Sequence, residues 1–339
     1  AAREVDRGLA ADRRVDRREQ RRRHRDERHA ALERRGREPD GITDRAAADE
    51  QLKSLRAIGD LYERLLAERV DRRCVIVGVG GGTIGDAAGF AAATFQRGVP
   101  FVAVPTTLLS AVDAAIGGKT AINLEGGKNL VGTVTQPAHV AIAPQALRTL
   151  PRRDVVSGYG EMLKYGLALD AALYRALRDG ESALLEDPSS ALGAIARCVE
   201  LKAEIVARDE EDRTGTRAVL NFGHTVGHAI EKVAGYGALR HGEAVIVGMR
   251  AALALSVARG GLDERARADA DAHLASLPLP PDWRALDAAA LVEATARDKK
   301  RHAGGTQFVL LDAIGSARLH DGVSPADVRA ALAEIGIGA

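Results

Sequence analysis

Aromatic side chains are scarce: Phe, Trp and Tyr make up 3% of the 339 residues, so the core must be built from Ala, Val, Leu and Ile. Cysteine is nearly absent. Cys74 and Cys198 are too few for a disulfide framework or a thiolate zinc site. Charge of one sign is not in excess; a net charge of +1 gives no global reason to expect nucleic acid or a membrane surface as partner. No apolar run approaches the roughly 20 residues that cross a bilayer. The first residues lack the short apolar segment of a secretory signal. These absences lead us to expect a soluble, cytoplasmic protein. What is present is an ordinary hydrophobic fraction, 46%, in a chain long enough for two domains.

Composition shifts along the chain. Residues 1–49 are crowded with arginine, and their few apolar residues show no sustained period. The stretch from Arg17 to Arg28 reads as a solvated helix or a disordered segment. Acids among its basic residues weaken any field that would attract phosphate, which disfavours a nucleic-acid-binding arm. From about residue 50, Leu52, Leu55, Ile58, Leu61, Leu65 and Leu66 recur at helical spacing. Cys74 to Gly80 reads as a buried strand ending in a glycine turn, Phe101 to Pro105 as a second and Val140 to Pro144 as a third. Helical or loop material separates them, as in a parallel α/β sheet. After Pro151 the pattern turns helical over residues 154–179, 189–211, 219–234, 241–260 and 263–276, with Phe308 to Leu311 as a late strand or hairpin. The expected class is α/β plus α. A Rossmann-like parallel-sheet, nucleotide-binding domain at 50–150 precedes a mainly helical, metal- and substrate-binding domain at 151–339. Ligands of such proteins sit in the crevice between the parts.

His224 and His228 stand at i and i+4, so on a helix both imidazoles share one face. His241 follows after a glycine-rich break, and imidazole is the commonest metal ligand. Any one of them alone reads as a core or surface histidine with its own hydrogen bond. Three together, with acidic partners upstream, point towards chemistry. Gly80 to Asp86 follows the first strand and opens a helix, where glycines admit a phosphate to the backbone and free N–H groups attract it. The hydroxyls of Thr106 and Thr107 lie at the carboxyl end of the next strand. Asp113, Asn123 and two lysines, Lys119 and Lys128, each just after paired glycines, come next. Either lysine alone would be a solvated turn residue; together they suit an approaching anion. Glu161 and Lys164 stand at i and i+3, a spacing that usually gives a surface ion pair of little worth. Lys202, Arg217 and Asp298-Lys299-Lys300-Arg301 add further charge. These groups suit one metal ion, a dinucleotide and a small, multiply anionic substrate.

From about Glu50 onwards the chain resembles the 3-dehydroquinate synthases, of the sugar phosphate cyclase family. The resemblance is carried by Glu50 to Leu55, Gly80 to Asp86, Pro105 to Leu109, Gly117 to Thr120, Gly127 to Asn129, Gly160 to Gly166, Leu220 to His228, His241 to Val245 and Asp298 to Lys300. Order and spacing match over most of the chain. The resemblance implies bound NAD⁺, used and regenerated, and the substrate 3-deoxy-D-arabino-heptulosonate 7-phosphate. Hydroxyl oxidation acidifies the neighbouring C–H, phosphate leaves, the ketone is reduced again, and ring opening with aldol closure gives 3-dehydroquinate. The leaving phosphate itself takes the proton, so no dedicated strong base is expected.

The resemblance further implies a divalent metal, Zn²⁺ or Co²⁺, on Glu161, His224 and His241, a coherent ligand set for an open catalytic zinc. His228 becomes a substrate-side group. Lys119, Lys164, Lys202, Arg217, Asn221 and Lys300 (or its neighbour Lys299) divide the substrate's phosphate and carboxylate, and Arg97 reaches the phosphate of the neighbouring subunit in a homodimer. The cofactor falls to Glu50, Lys53, Gly81, Gly82, Thr83, Ile84, Gly85, Asp86, Thr106, Thr107, Asp113, Lys119, Lys128, Asn129 and Thr149. One departure stands out. Members of the family begin with strands that join the nucleotide-binding sheet and carry an acid for the adenine-side ribose, and residues 1–49 carry no such pattern. The expectation is weak NAD binding or poor folding. Another cyclitol-forming cyclase and a metal-dependent polyol dehydrogenase are the rival readings.

Overall fold

The structure, a computed structural model, describes residues 50–235, 237–297 and 307–338. The Arg-rich segment 1–49 and Asp298 to Arg301 lie outside the described residues. Helix α1 (Leu55–Ala67) begins where the Ser54 hydroxyl accepts from the Ala57 N–H. Of the apolar residues whose spacing suggested it, Ile58 is buried, Leu55 and Leu66 are exposed, and Leu52 sits in a short turn before the helix.

Strand β1 (Ile76–Gly80) leads into α2 (Gly82–Thr94) and then β2 (Phe101–Pro105). Next comes a hairpin of β3 (Lys119–Leu124) and β4 (Gly127–Val134), followed by β5 (His139–Val140). β1, β2 and β5 form the parallel sheet in that order, and β3 pairs with β4 antiparallel. The third strand is shorter than its apolar run, because Pro144 has no N–H for a ladder and opens a 3-10 turn. The β3–β4 hairpin is where only glycine turns with lysines were expected. Its signal was the alternation that buries Thr120 and Ile122 while Lys119 stays exposed. Among the described residues β1 has no neighbour on its outer side, and Val77 and Val79 there are 53% and 60% exposed.

The second half is helical: α3 (Arg152–Leu169), α4 (Ala171–Asp179), α5 (Glu181–Glu186), α6 (Leu192–Arg208), α7 (His224–Ala234), α8 (His241–Leu255), α9 (Glu264–Ser276) and α10 (Ala288–Arg297). A hairpin of β6 (Phe308–Ala313) and β7 (Ser316–His320) precedes α11 (Pro325–Glu334). The single helical run expected over 154–179 is broken at Asp170, whose carboxylate caps α4 by accepting from Ala172 and Leu173. α3 is buried from Val155 to Ala168 and α8 from Gly242 to Leu255, as befits helices surrounded on all sides. α8 runs on through a π turn to Gly260. His241–Gly260 is thus one helix long and apolar enough to cross a membrane, contrary to the reading of the sequence, although most of it is buried within the fold.

The two central helices meet at glycines. A β-carbon on Gly160 would lie 2.7 Å from the Gly242 carbonyl oxygen, and one on Gly242 would lie 1.8 Å from that of Ser157. Any larger residue holds the helices apart, and the neighbours of these glycines in the chain are Glu161 and His241.

Candidate active site

Four side chains from three helices converge at that crossing. Glu161 comes from the middle of α3 and is fully buried. His224 opens α7, directly after Gly223, whose φ of 79° lets the chain turn into the helix. His228 lies one turn on, and His241 opens α8. Glu161 Oε1 is 3.4 Å from Nε2 of His224 and 3.3 Å from Nε2 of His241. The other ring nitrogens are engaged elsewhere: Nδ1 of His224 is 3.3 Å from the Phe222 carbonyl oxygen, and Nδ1 of His241 is 3.1 Å from Glu231 Oε2. Both Nε2 atoms are thereby turned towards Glu161.

The three imidazoles offer ligand atoms within 4.8 Å of one another, so geometry alone also admits His228 to a metal site. Burial separates them: His224 is buried, His241 half-buried and His228 exposed. The decisive atoms are those of Glu161. Both oxygens are buried; Oε2 meets the Lys164 ammonium, whereas Oε1, which faces the two imidazoles, has no hydrogen-bond partner. A buried carboxylate left so is costly unless a cation satisfies it. Carboxylate plus two imidazole nitrogens is a donor set that fits a divalent metal with an open position.

The electrostatics agree. Burial, with Lys164 and the other two histidines nearby, outweighs Glu161 and pushes His224 down to about 3, leaving it neutral as a ligand must be. Burial also opposes charge on His241, but the Glu161 and Glu231 carboxylates on either side of the ring overcome it and push His241 up to about 10. Burial would raise Glu161; the charge of Lys164, with His241 beside it, wins and holds it below the usual carboxylate range.

Beside this corner runs a row of buried charges. Lys164 Nζ is 2.5 Å from Glu161 Oε2 and 3.7 Å from Asp113 Oδ1. Lys202 Nζ is 2.7 Å from the same Asp113 oxygen and 2.6 Å from its backbone carbonyl. Tyr165 donates to Asp113 Oδ1 at 2.7 Å. The i, i+3 pair of Glu161 and Lys164 is therefore the opposite of a surface ion pair. Burial lowers the Lys202 pKa, and Asp113 only partly offsets it. Lys164 is held above its usual range, since Asp113 and Glu161 outweigh its burial. Arg217 is buried too, with Nη1 3.2 Å from the Gly117 carbonyl oxygen. Lys119 pairs with Asp212. Asn221 and His228 are exposed at the rim.

The sheet side brings a second group together. Gly81 ends the turn after β1 without a side-chain cap, so the first N–H groups of α2 face outward from the sheet's carboxyl edge. A β-carbon on Gly81 would lie 3.0 Å from Thr107 Cγ2, and one on Gly82 would lie 3.5 Å from Ala114 Cβ. The Thr106 N–H bonds the Gly80 carbonyl oxygen at 2.9 Å, which aligns the two loops. Lys53 donates to Asp86 at 2.6 Å and to Asn129 at 2.5 Å. Glu50 accepts from Asn123 at 2.7 Å and lies 3.5 Å from the Thr83 hydroxyl and 3.8 Å from Lys128 Nζ. Ile84 and Gly85 belong to the first turn of α2. A bare helix start next to small side chains fits a dinucleotide pyrophosphate.

Two expected residues are not brought in. Thr149 is exposed on the turn before α3. Arg97 is exposed on a turn with its backbone in the left-handed region (φ 69°). Lys300 lies outside the described residues. Conversely, Tyr165, Asp212 and Glu231 were given no role from sequence. Glu231 carried a signal, standing seven residues after His224 on one helix face; Asp212 lies 93 residues from Lys119 and carried none.

Comparison with known proteins places these features in a family. The 3-dehydroquinate synthase N-terminal domain matches residues 45–157 and the C-terminal domain residues 158–301. A 3-dehydroquinate synthase from Rhodopirellula baltica is 45% identical over 284 residues, covering 84% of this chain and 76% of its own. The solved 2-epi-5-epi-valiolone synthase from Streptomyces hygroscopicus, with NAD⁺ and Zn²⁺ bound, superposes with a TM-score of 0.77 at 30% identity, over 86% of this chain and 81% of its own. A 2-deoxy-scyllo-inosose synthase complexed with carbaglucose-6-phosphate, NAD⁺ and Co²⁺ gives 0.74 at 29% identity, over 84% and 80%. The chain belongs to the 3-dehydroquinate synthase family.

Proposed function

We propose that this chain is a 3-dehydroquinate synthase, a phosphate-eliminating carbon–oxygen lyase acting on 3-deoxy-D-arabino-heptulosonate 7-phosphate. The observation that carries the reading is Glu161: a buried carboxylate whose Oε1, without a hydrogen-bond partner, faces two imidazole nitrogens while its Oε2 meets the first of a row of ammonium groups. Product identity is supported by the relatives. Proteins named 3-dehydroquinate synthase are 43–48% identical to this chain, against 30% and 29% for the two cyclitol synthases.

Glu161, His224 and His241 would hold Zn²⁺ or Co²⁺, and the α2 start with Thr106 and Thr107 would hold NAD⁺. When bound, the metal stabilises developing negative charge on substrate oxygen while the nicotinamide takes up a hydride and gives it back. The protein's own groups do the rest. Lys164, held charged between two carboxylates, keeps Glu161 ionised and orients it. Lys202, Arg217 and Lys119 supply positive charge for the substrate's phosphate and carboxylate, and burial of the first two strengthens that attraction. Asn221 and His228, at the exposed rim, meet the substrate from the solvent side. Lys53, Asp86 and Asn129 brace the cofactor loop against the β3–β4 hairpin. Residues 50–150 act as the cofactor half and 151–339 as the metal and substrate half. A homodimer, with Arg97 reaching the neighbouring subunit, and a cytoplasmic location complete the reading.

Phosphate release from the heptulosonate phosphate, with absorbance followed at 340 nm, tests the proposal. Release that depends on metal and leaves no net NADH is the expected result. Accumulating NADH would instead indicate a polyol dehydrogenase, and release that persists after complete metal removal would contradict the metal assignment.

A further inference from the structure

We infer that Glu231 is a positioning residue for the metal: it accepts the Nδ1–H of His241 and so fixes the tautomer whose Nε2 is free to bind the ion. The inference rests on the metal reading above. Glu231 lies on α7, three residues after His228, and its Oε2 is 3.1 Å from His241 Nδ1. On the opposite side of the same ring, Nε2 is 3.3 Å from Glu161 Oε1. One imidazole thus stands between two carboxylates with different tasks. Glu161 is fully buried and its Oε1 has no hydrogen-bond partner, whereas Glu231 is 19% exposed at its side chain and is satisfied by the histidine. The two nitrogens of an imidazole point in different directions, so the carboxylate on Nδ1 lies away from the position where Nε2 meets an ion. Glu231 is therefore not a ligand.

A carboxylate acceptor on a ligating histidine orients the ring and raises its basicity. His224 is oriented differently, by the backbone carbonyl of Phe222. Of the two ligand-orienting contacts, only the one made by Glu231 can be removed by a side-chain substitution. His241 needs the stronger of the two. It opens α8 directly after the irregular residues 237–240 and is less buried than His224, so fewer neighbours hold its ring.

The test is Zn²⁺ affinity of the full chain, measured by competition with a chromogenic chelator, together with the visible spectrum of the Co²⁺-loaded protein. Removing such an outer partner weakens metal binding about 10- to 100-fold, the loss expected for Glu231→Ala. Glu231→Gln, whose amide oxygen still accepts from Nδ1, should recover part of it. The Co²⁺ spectrum of Glu231→Ala should also change in shape, which a general loss of stability would not produce. Wild-type affinity and an unchanged spectrum in Glu231→Ala overturn the inference while leaving the metal reading intact. Glu231→Gln binding no tighter than the alanine variant overturns the hydrogen-bond role. If the alanine variant does not fold, Glu231→Met, of similar size and without an oxygen to accept from Nδ1, carries the test, and wild-type affinity in it together with a wild-type Co²⁺ spectrum overturns the inference. A wild-type chain that takes up no Zn²⁺ overturns the metal reading, and this inference with it.

Discussion

Gly242 packs so closely on Ser157 that a methyl group at its Cα would lie 1.8 Å from the Ser157 carbonyl oxygen. Backbone cannot yield as a flexible side chain can, so Gly242→Ala must push α8 away from α3. The shift separates His241 from Glu161, its partner at 3.3 Å. Overpacking of this kind costs about 1–3 kcal/mol. A displacement of about 1 Å at the reacting groups costs on the order of a hundredfold in rate. Urea unfolding and phosphate-release kinetics of Gly242→Ala check both figures, and wild-type values for the two would refute the account.

The paired histidines of α7 divide by burial. His224→Ala should lose the metal, since it removes the buried nitrogen 3.4 Å from Glu161. His228→Ala, changing an exposed ring, should keep the metal and lose turnover. Metal content after gel filtration, set beside kcat for each variant, distinguishes them. Loss of metal from both would bring His228 into the ligand set.

Metal uptake should depend on pH through His241. Its folded pKa is raised to about 10 by Glu161 and Glu231 acting against burial, so below that value the metal-free ring carries a proton. Binding must expel that proton. Apparent Zn²⁺ affinity therefore rises with pH, by roughly tenfold per unit between neutrality and pH 9. The same proton stabilises the metal-free fold: its contribution is complete below the ring's unfolded pKa and is lost as pH rises through the folded one. Chelator competition at several pH values measures the slope, and a flat profile would show that His241 is neutral before the metal arrives.

Asp113 serves Lys164, Lys202 and Tyr165 at once. Asp113→Ala leaves the buried Lys202 ammonium without its carboxylate while Lys164 keeps Glu161, and breaking a buried pair in this way costs about 3–5 kcal/mol. The double variant Asp113→Ala with Lys202→Met removes the stranded charge and should be more stable than Asp113→Ala alone. Denaturant midpoints of the wild type, Asp113→Ala, Lys202→Met and the double variant decide it; additive losses would mean the row is not coupled.

Much of this was legible from residue order. The parallel strands at Ile76 and Phe101 announced themselves as apolar runs ending in glycine or proline, and the histidine spacing marked α7. The β3–β4 hairpin was hidden by its glycines and lysines, which read as turns although Thr120 and Ile122 alternate inward. Burial of Glu161 and Lys164 could not be read from an i, i+3 spacing that surface helices share. It follows from Gly160 and Gly242, whose closeness exists only once two distant helices cross. Asp212 on Lys119 is a pairing of the same tertiary kind.

Asp113 belongs to the chain segment after β2, whereas Tyr165, Lys164 and Lys202 come from α3 and α6. One carboxylate thus joins the sheet half and the helical half electrically in the interior, as the Lys119–Asp212 pair does nearer the surface. Loosening either half uncovers two ammonium groups, so the halves should unfold in one cooperative step.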